Sequence, residues 1–232
     1  MKGRLRARLS LIAAAFGAVA AVYLLVVRPW HLRWGASAEV VSRPLAGDEL
    51  IPSPRMQSTR AITIAASAER VWPWLVQLGT GRGGWYSYDF LENLVGLRIH
   101  TVNRIVPELQ HLRVGDIIPA APPPYLGFRV LSIEPPHVLV TSATVDLITG
   151  LTLDPEGPPA GRRLDSSYTF VLQPVDESRC QLIARFRSAY APGLVNDLLV
   201  RCALEPVHFV MERGMLQGIK RRAETATEDL AA

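Results

Sequence analysis

The sequence predicts an α+β protein in which a curved antiparallel sheet wraps around a long C-terminal helix, preceded by one transmembrane helix. Three observations lead to this prediction. An uncharged apolar run occupies residues 9–27. Several later segments alternate apolar and polar residues and are rich in β-branched side chains, which is typical of half-buried strands. Residues 193–222 carry apolar side chains at spacings of three and four, which indicates a long amphipathic helix.

The apolar run reads LSLIAAAFGAVAAVYLLVV and contains neither a charge nor a proline. A helix of this length is about 28 Å long, close to the ~30 Å hydrocarbon core of a bilayer. A cleaved signal peptide and a buried core helix are the alternatives. The former has a shorter apolar region followed closely by small residues, and the latter seldom runs this long without a polar side chain. We therefore expect an uncleaved single-pass membrane anchor.

Cations flank the run on both sides, with four in residues 1–8 and with Arg28 and Arg33 after it. The positive-inside rule then predicts a cytoplasmic N-terminus and a folded domain on the other side of the membrane. After the basic flank and the anchor, the predicted parts are a Pro/Gly-rich linker at residues 28–58, a folded domain at 59–222 and a disordered tail at 223–232.

Composition and motifs exclude several kinds of site. The net charge of +4 is spread along the chain, and no basic stripe with interleaved aromatic residues marks a nucleic-acid interface. Cys180 and Cys202 form neither a CxxC nor a metal-ligand motif, and their apolar neighbours favour buried thiols over a disulfide. The literal GxGxxG at residues 79–84 does not follow a strand, as a dinucleotide-binding loop would. We therefore predict no metal, no cofactor and no nucleic-acid partner.

Local patterns give the order of the elements in the folded domain. A β-branched strand is predicted at residues 59–65, and a helix begins after an N-cap at Ser67 and ends before Gly79. A short helix is predicted at residues 88–95, and the C-terminal helix is expected to kink at Pro206. Further strands are predicted at residues 116–119, 127–134, 138–143, 165–173 and 180–190.

The segment TRAITIAASAERVWPWLVQLGTGRGGWYSYDFLENLVG, continued by NRIVPELQHLRVGD, resembles SRPBCC proteins, the superfamily of START lipid-binding domains and polyketide cyclase/dehydrase-like proteins. The upstream sequences RPWHLRWGA and RPLAGDELIP resemble those of a bacterial, membrane-anchored subgroup. The resemblance covers about residues 29–220. It implies a helix-grip fold, in which a curved antiparallel sheet holds the C-terminal helix with an apolar cavity between them, but it does not imply one reaction.

Aromatic side chains with polar tips follow the glycine-rich turn at residues 79–84. They bury a large area and offer a hydrogen-bonding group, so they suit either the mouth of a cavity or a covered core. On the last strand, Phe186 shares a face with the small residues Ala184 and Ser188, which leave room inside. The candidate ligand-binding residues are Trp85, Tyr86, Tyr88, Asp89, Phe186 and Phe209.

No nucleophile motif such as GxSxG occurs, and the candidate catalytic residues are Glu205, Asp89 and His100. Glu205 falls on the apolar face of the C-terminal helix, where it would act as a general base with a raised pKa, pair with an arginine, or become exposed because Pro206 shifts the face. Asp89 would orient a polar ligand end or cap the short helix. His100 lies in an irregular stretch, where polar residues often carry function.

These observations predict a membrane-anchored protein that binds or transports a hydrophobic small molecule or lipid in an internal cavity. The alternative is an enzyme of the cyclase or dehydratase (aromatase-like) kind that acts on a hydrophobic, polyketide-like substrate. A third alternative is an interaction module whose own side chains fill the core.

Overall fold

Six antiparallel strands form one sheet with the strand order β1-β6-β5-β4-β3-β2, and a long C-terminal helix packs against one of its faces. This architecture, seen in a computed structural model that describes residues 15, 17–94, 96, 99–157 and 161–228, confirms the α+β class and the antiparallel sheet. The strands are β1 (Met56–Ile64), β2 (Ile117–Pro119), β3 (Gly127–Glu134), β4 (Val138–Asp146), β5 (Arg163–Asp176) and β6 (Arg179–Tyr190).

The helices precede, interrupt and follow the strands. Residues 17–22 are helical and continue through a π-helical turn into α1, and the C-terminal helix consists of α5, a second π-helical turn and α6. Short 3-10 turns lie at Asp48–Leu50 and Pro107–Leu109. In chain order the helical elements are the π turn Tyr23–Val27, α1 (Arg28–Leu32), α2 (Ala38–Ser42), α3 (Ala68–Val76), α4 (Asp89–Leu94), α5 (Leu194–Leu199), the π turn Val200–Leu204 and α6 (Glu205–Glu228).

The second π-helical turn lies directly before Pro206, where the sequence predicts a kink. Proline has no N–H to donate to the carbonyl of Cys202, so the helix cannot keep its regular hydrogen-bond ladder there. A wider turn is one way in which a helix accommodates this loss. At its other end the helix continues through Glu228, beyond the predicted end at residue 222.

Strand pairing explains where the strands begin. β1 starts at Met56, three residues before the predicted start, because residues 56–58 pair with residues 186–188 at the end of β6. β5 and β6 form a hairpin along almost their whole length, as the alternating pattern predicts. The face that carries Arg60 and Phe186 is turned toward the C-terminal helix, and it holds most of the core.

The segment predicted as a linker, residues 28–58, is in contact with the sheet. At the exposed edge of β1, the carbonyl of Trp34 accepts a hydrogen bond from the Ala61 N–H at 3.1 Å. The next residue, Gly35, has φ of +73°, and a Cβ on it would lie 2.0 Å from the Ala61 oxygen. Only glycine lets the chain pass this close to the strand edge. The chain then crosses to the outer face of the sheet.

Arg185 on β6 joins residues 40–48 to that outer face. Its side chain is 2% exposed, and its guanidinium donates hydrogen bonds of 2.7–3.0 Å in five directions. Since all its donors find acceptors, the burial of the charge is compensated. The acceptors are the Thr59 hydroxyl, the carbonyls of Val40, Val41 and Arg43, and the Asp48 carboxylate.

Part of the predicted anchor, residues 9–14 and 16, lies outside the described residues. Within the part of the chain that the structure describes, no helix has both the length and the apolar character needed to cross a bilayer. Residues 17–27 are helical, and the side chains of Val19, Val22, Leu25 and Val26 are more than half exposed. Tyr23 lies against the C-terminal helix, where its hydroxyl donates to the Arg201 carbonyl.

We expect the substitution R185M to lower the free energy of unfolding by about 3–5 kcal/mol, because it leaves several carbonyls at residues 40–43 without their donor and removes one of the two arginines that pair with Asp48. Thermal unfolding followed by circular dichroism would measure the change. R179M is the matched control, since Arg179 on the same strand is exposed and pairs only with the exposed Asp176; it should cost less than about 1 kcal/mol. Equal losses in the two variants would contradict the role assigned to Arg185.

Candidate functional site

A cavity of about 380 Å³ lies between the inner face of the sheet and the C-terminal helix. Strands β1 and β3 to β6, the segment at residues 85–87, the loop at residues 120–126 and the first half of the C-terminal helix contribute to its wall. The chain's own side chains do not fill this space. Most of the wall is apolar, with contributions from Met56, Phe128, Leu164, Val200, Met211 and Met215.

One end of the cavity carries a buried charged cluster formed by Arg60, Glu212 and His208. The alternation of β1 turns Arg60 inward, and one turn of α6 separates His208 from Glu212. Arg60 Nη1 donates to the Glu212 carboxylate and lies 3.1 Å from His208 Nδ1. Arg60 Nε donates to the carbonyl of His31 at 2.7 Å. The arginine therefore joins the edge strand, the C-terminal helix and the N-terminal segment.

Burial controls the charges of this cluster. The side chains of Arg60 and Glu212 are at most 1% exposed, and burial raises the pKa of Glu212 above its usual value while the Arg60 charge opposes that rise. Burial, together with the Arg60 charge, lowers the pKa of His208 well below its usual value, so that this imidazole is neutral near pH 7. His208 and Glu212 both lie on the cavity wall, and the His208 side chain is 25% exposed.

Aromatic rings surround His208 on the sheet side. The ring of Phe186 lies 4.7 Å from that of His208, and the ring of Tyr168 lies 5.8 Å from it. Tyr168 also packs against Phe128 and Phe170 at 5.6 and 4.4 Å. Burial and the nearby Glu212 carboxylate raise the pKa of Tyr168 well above its usual value, so its hydroxyl keeps its proton. Tyr168 lies on the cavity wall as well.

His31 forms a second buried histidine site behind the cluster. Its ring packs on Phe209 at 5.5 Å, it is 2% exposed, and neither ring nitrogen has a hydrogen-bond partner. Burial and the charges of Arg60 and Arg28 lower the pKa of His31 to about 4. The imidazole is therefore held neutral inside the fold over the whole physiological range.

Of the six predicted ligand-binding residues, Trp85 and Phe186 lie on the cavity wall. The Trp85 indole donates to the Pro119 carbonyl at 3.2 Å, which fixes the ring. The chain at residues 85–88 crosses the C-terminal helix closely at Gly214 and Gly218. A Cβ at Gly218 would lie 2.0 Å from the Tyr86 oxygen, so glycine is needed for this approach.

The other predicted aromatic residues pack away from the cavity. Tyr86 is 1% exposed in the core, its hydroxyl accepts a hydrogen bond from Gln77 at 2.7 Å, and burial raises its pKa to about 12. Tyr88 is 38% exposed and its ring lies against Gly214. Phe209 packs on the ring of Trp30 at 5.2 Å, with the Arg60 guanidinium over its face.

None of the predicted catalytic residues lies on the cavity wall, although all three are described. Glu205 is fully buried and paired with Arg28, whose Nε and Nη2 donate to the two carboxylate oxygens at 2.7 and 2.8 Å. Asp89, also a predicted ligand-binding residue, accepts hydrogen bonds from the backbone and hydroxyl of Thr101 at 2.8 and 2.6 Å, at the start of α4. His100 is exposed.

The polar end of the cavity is formed instead by Tyr168, His208 and Glu212, with Arg60 behind them. None of these four residues is among the site residues predicted from the sequence. The sequence contains a pattern that could have identified two of these residues, Glu212 and Arg60. Glu212 falls on the apolar face of an amphipathic helix, and Arg60 is the second residue of the strand sequence TRAITI, on the same strand face as Ile62 and Ile64. A charged residue at a position whose neighbours are buried needs a partner of opposite charge. The two positions could have been matched on that ground.

The cysteines form no bond with each other: Cys180 is buried and Cys202 is exposed, both as free thiols. Buried thiols were expected for both, and the structure places only Cys180 in the core. Burial raises the pKa of the Cys180 thiol to about 11, which makes it unreactive at neutral pH. Within the described residues, no three histidine, cysteine or acidic side chains are arranged to hold a metal ion.

Comparisons with known proteins give no family assignment: no protein-family model and no curated protein matches this sequence. Solved structures with a similar outline include a hypothetical protein of Helicobacter pylori, with 9% identity over 78% of this chain and 96% of that chain and a TM-score of 0.45. Norcoclaurine synthase from Thalictrum has 13% identity, coverages of 74% and 96%, and a TM-score of 0.42. The self-sacrificing resistance protein CalC of Micromonospora echinospora has 12% identity over 73% of this chain and 95% of that chain, with a TM-score of 0.42.

Acidification is expected to destabilise the protein through His31. Because the pKa of His31 is about 4 in the folded chain and ordinarily 6.5, the unfolded chain binds more protons in this interval. Stability therefore falls as the pH decreases from about 6.5 to about 4, by up to about 1.4 kcal/mol per pH unit. The variant H31F keeps the ring but does not titrate.

Chemical denaturation of wild type and H31F at pH 6.5, 5.5 and 4.5 would measure this effect. We expect the wild type to lose about 2 kcal/mol more than H31F between pH 6.5 and 4.5. The raised pKa of Glu212 acts in the opposite direction, but it is present in both proteins and cancels in the difference. Equal losses of stability in wild type and H31F as the pH falls would show that the His31 ring is hydrated in solution, which would contradict this prediction.

Proposed function

We propose that this chain is a membrane-anchored protein that binds a hydrophobic small molecule or lipid in the cavity between its sheet and its C-terminal helix. The observation that carries the proposal is the cavity of about 380 Å³ with a mainly apolar wall. Cavities of this size and character are typical of sites for small apolar ligands.

The energetics of the cavity support an occupant. The apolar wall of this cavity stays in contact with water unless a ligand covers it, at a cost of about 25 cal/mol per Å² of apolar surface. An apolar ligand would recover much of that cost by covering the walls, whereas water would find few polar partners there.

The sequence supports the same proposal from two sides. The SRPBCC resemblance implies a ligand cavity in this position, and the cavity wall includes Trp85 from the segment that carries the resemblance. The apolar run at residues 9–27 and its flanking cations support a single-pass anchor with a cytoplasmic N-terminus. A protein held at a bilayer would meet hydrophobic molecules at high local concentration.

A second candidate function is proton-transfer catalysis of the cyclase or dehydratase kind on a hydrophobic, polyketide-like substrate. One observation favours it: Glu212, a buried carboxyl with a raised pKa, lies on the cavity wall beside a neutral histidine. Carboxyl groups in this state serve as general bases in proton-transfer enzymes. If the chain is such an enzyme, E212Q will abolish turnover while a bound substrate is retained.

Blocking the cavity should remove the bound molecule. In S188F a phenyl ring replaces a buried cavity-wall side chain whose hydroxyl has no hydrogen-bond partner. The full chain, purified and extracted with organic solvent, would be examined by mass spectrometry. We expect a hydrophobic compound that co-purifies with the wild type and falls at least tenfold in S188F.

The matched control for this experiment is Q181F, which adds the same ring to the same strand, at a position opposite Thr63 on β1 and away from the cavity wall. It should retain the compound at the wild-type level. An identical extract from S188F and wild type, or no compound from either, would contradict the proposed binding function.

Deleting the apolar run should release the protein from membranes. We expect the full chain to remain in the membrane fraction after alkaline carbonate extraction, because a spanning helix is held by its apolar length. A chain that begins at Arg28 keeps the Arg28–Glu205 pair and should move to the soluble fraction. Release of the full chain by carbonate would show that residues 9–27 do not span the bilayer.

A further inference from the structure

We propose that the ligand carries an uncharged carbonyl oxygen, which accepts hydrogen bonds from the His208 imidazole and the Tyr168 hydroxyl at the polar end of the cavity. This inference rests on the proposed binding function and specifies the chemical class of the ligand. It follows from the hydrogen-bonding groups that the folded chain leaves available on the cavity wall.

The first available group is the Nε2–H of His208. Arg60 Nη1 lies 3.1 Å from His208 Nδ1, and an arginine nitrogen only donates, so Nδ1 must be the acceptor. His208 Nδ1 also lies 3.3 Å from Glu212 Oε2, but that oxygen already accepts from the same Arg60 nitrogen, and a proton on Nδ1 would face the Arg60 donor at the shorter distance. We therefore assign the proton of the neutral ring to Nε2, which has no acceptor within hydrogen-bond distance among the described residues.

The second available group is the hydroxyl of Tyr168. The tyrosine is 4% exposed and lies on the cavity wall, and its phenol remains protonated because its pKa is raised. No side chain or backbone group of the described residues accepts or donates a hydrogen bond at this hydroxyl. A buried polar group without a protein partner costs about 1–3 kcal/mol unless a ligand satisfies it.

The charge balance of the site excludes ions. Glu212 is the one charged side chain on the described cavity wall, and Arg60 neutralises it from behind. A ligand carboxylate or ammonium would enter an apolar space without a free countercharge, which is costly. An uncharged polar group meets no such penalty.

The count of donors and acceptors favours a carbonyl over a hydroxyl. A carbonyl oxygen has two lone pairs and can accept from two donors, and the centroids of the two rings that carry the available groups lie 5.8 Å apart. A ligand hydroxyl adds a third hydrogen, so one of the three hydrogens would have no acceptor. Two further acceptors near the cavity have no hydrogen-bond partner among the described residues, Glu212 Oε1 and Ser188 Oγ, and both are covered by protein, so a ligand meets them only if those side chains move.

Equilibrium dialysis with four probes of matched shape tests the inference: 4-butylacetophenone, 4-butylbenzoate, 4-butylbenzylammonium and the hydrocarbon 1-butyl-4-ethylbenzene. The full chain would be held in lipid nanodiscs, with S188F in identical discs as the blank for uptake by lipid. We expect the ketone to be retained about fivefold or more above the hydrocarbon, as one to two buried hydrogen bonds provide. The two ions should show at least tenfold weaker retention than the ketone.

Two variants keep the rings and remove the donors. In H208F and Y168F the preference for the ketone over the hydrocarbon, measured within each variant, should fall about fivefold. Hydrocarbon binding above the S188F blank shows that each variant is folded with an open cavity. Q181F serves again as the control and should keep the wild-type preference.

The outcomes separate this inference from the function on which it rests. If no probe is retained above the S188F blank, the proposed binding function fails. If the hydrocarbon binds but equals the ketone, or if benzoate or the ammonium binds best, the cavity is a binding site and the carbonyl assignment is wrong. A ketone preference that survives in both H208F and Y168F would also overturn the assignment.

Discussion

The buried ion pair between Arg60 and Glu212 is the interaction on which the rest of the site depends. It connects the edge strand β1 to the C-terminal helix across 152 residues of sequence. The same guanidinium donates a hydrogen bond to the His31 carbonyl and lies 3.1 Å from His208 Nδ1. A pair this deeply buried gains little net stability, but the loss of either partner would leave an uncompensated charge and cost about 3–5 kcal/mol.

The pair also sets the chemistry of the cavity. Because Arg60 neutralises Glu212, the polar end of the cavity has no net charge. Because Arg60 donates to Nδ1 of His208, Nε2 is the ring nitrogen that carries the proton. An apolar pair of similar volume would pack there at no loss of stability, yet it would erase the polarity at the end of the cavity. Under the proposed ligand binding, the ion pair would contribute to recognition more than to stability.

A second buried pair, between Glu205 and Arg28, repeats this arrangement two turns earlier on the same helix. Together with Arg185 on the outer face, it makes the N-terminal segment part of the folded unit. Arg60, Arg28 and Arg185 each connect two segments of the chain that are distant in sequence. Arginine suits this purpose because its planar fork donates in several directions at once.

Local patterns in the sequence predict most of the fold, since strand alternation and helical periodicity are properties of neighbouring residues. The strand at residues 127–134 and the hairpin of β5 and β6 were predicted on this basis and are present. The site was harder to predict because its members are brought together from distant parts of the chain. Arg60 shares a strand face with Ile62 and Ile64, which marks it as a charge among apolar residues, but local patterns do not show that its partner lies on the last helix.

Backbone conformation also decided which aromatic residues reach the cavity. Tyr86 adopts a positive φ of 55°, which is uncommon outside glycine. At this turn Trp85 faces the cavity, while Tyr86 faces the core and Gln77. Sequence alone does not distinguish the two neighbours. For Glu205, pairing with an arginine was one of the three alternatives that the sequence left open, and Arg28 is that arginine.

The attachment of the N-terminal helix has a mechanical consequence for the proposed anchor. A freely jointed spacer of the length of residues 28–58 would let the domain wander ~30 Å from the bilayer. Instead, Tyr23 and Arg28 fasten the end of the helix directly to the C-terminal helix. The domain would then be held at a fixed distance from the anchor helix and in a fixed orientation relative to it, so that the same surface of the domain faces the lipid.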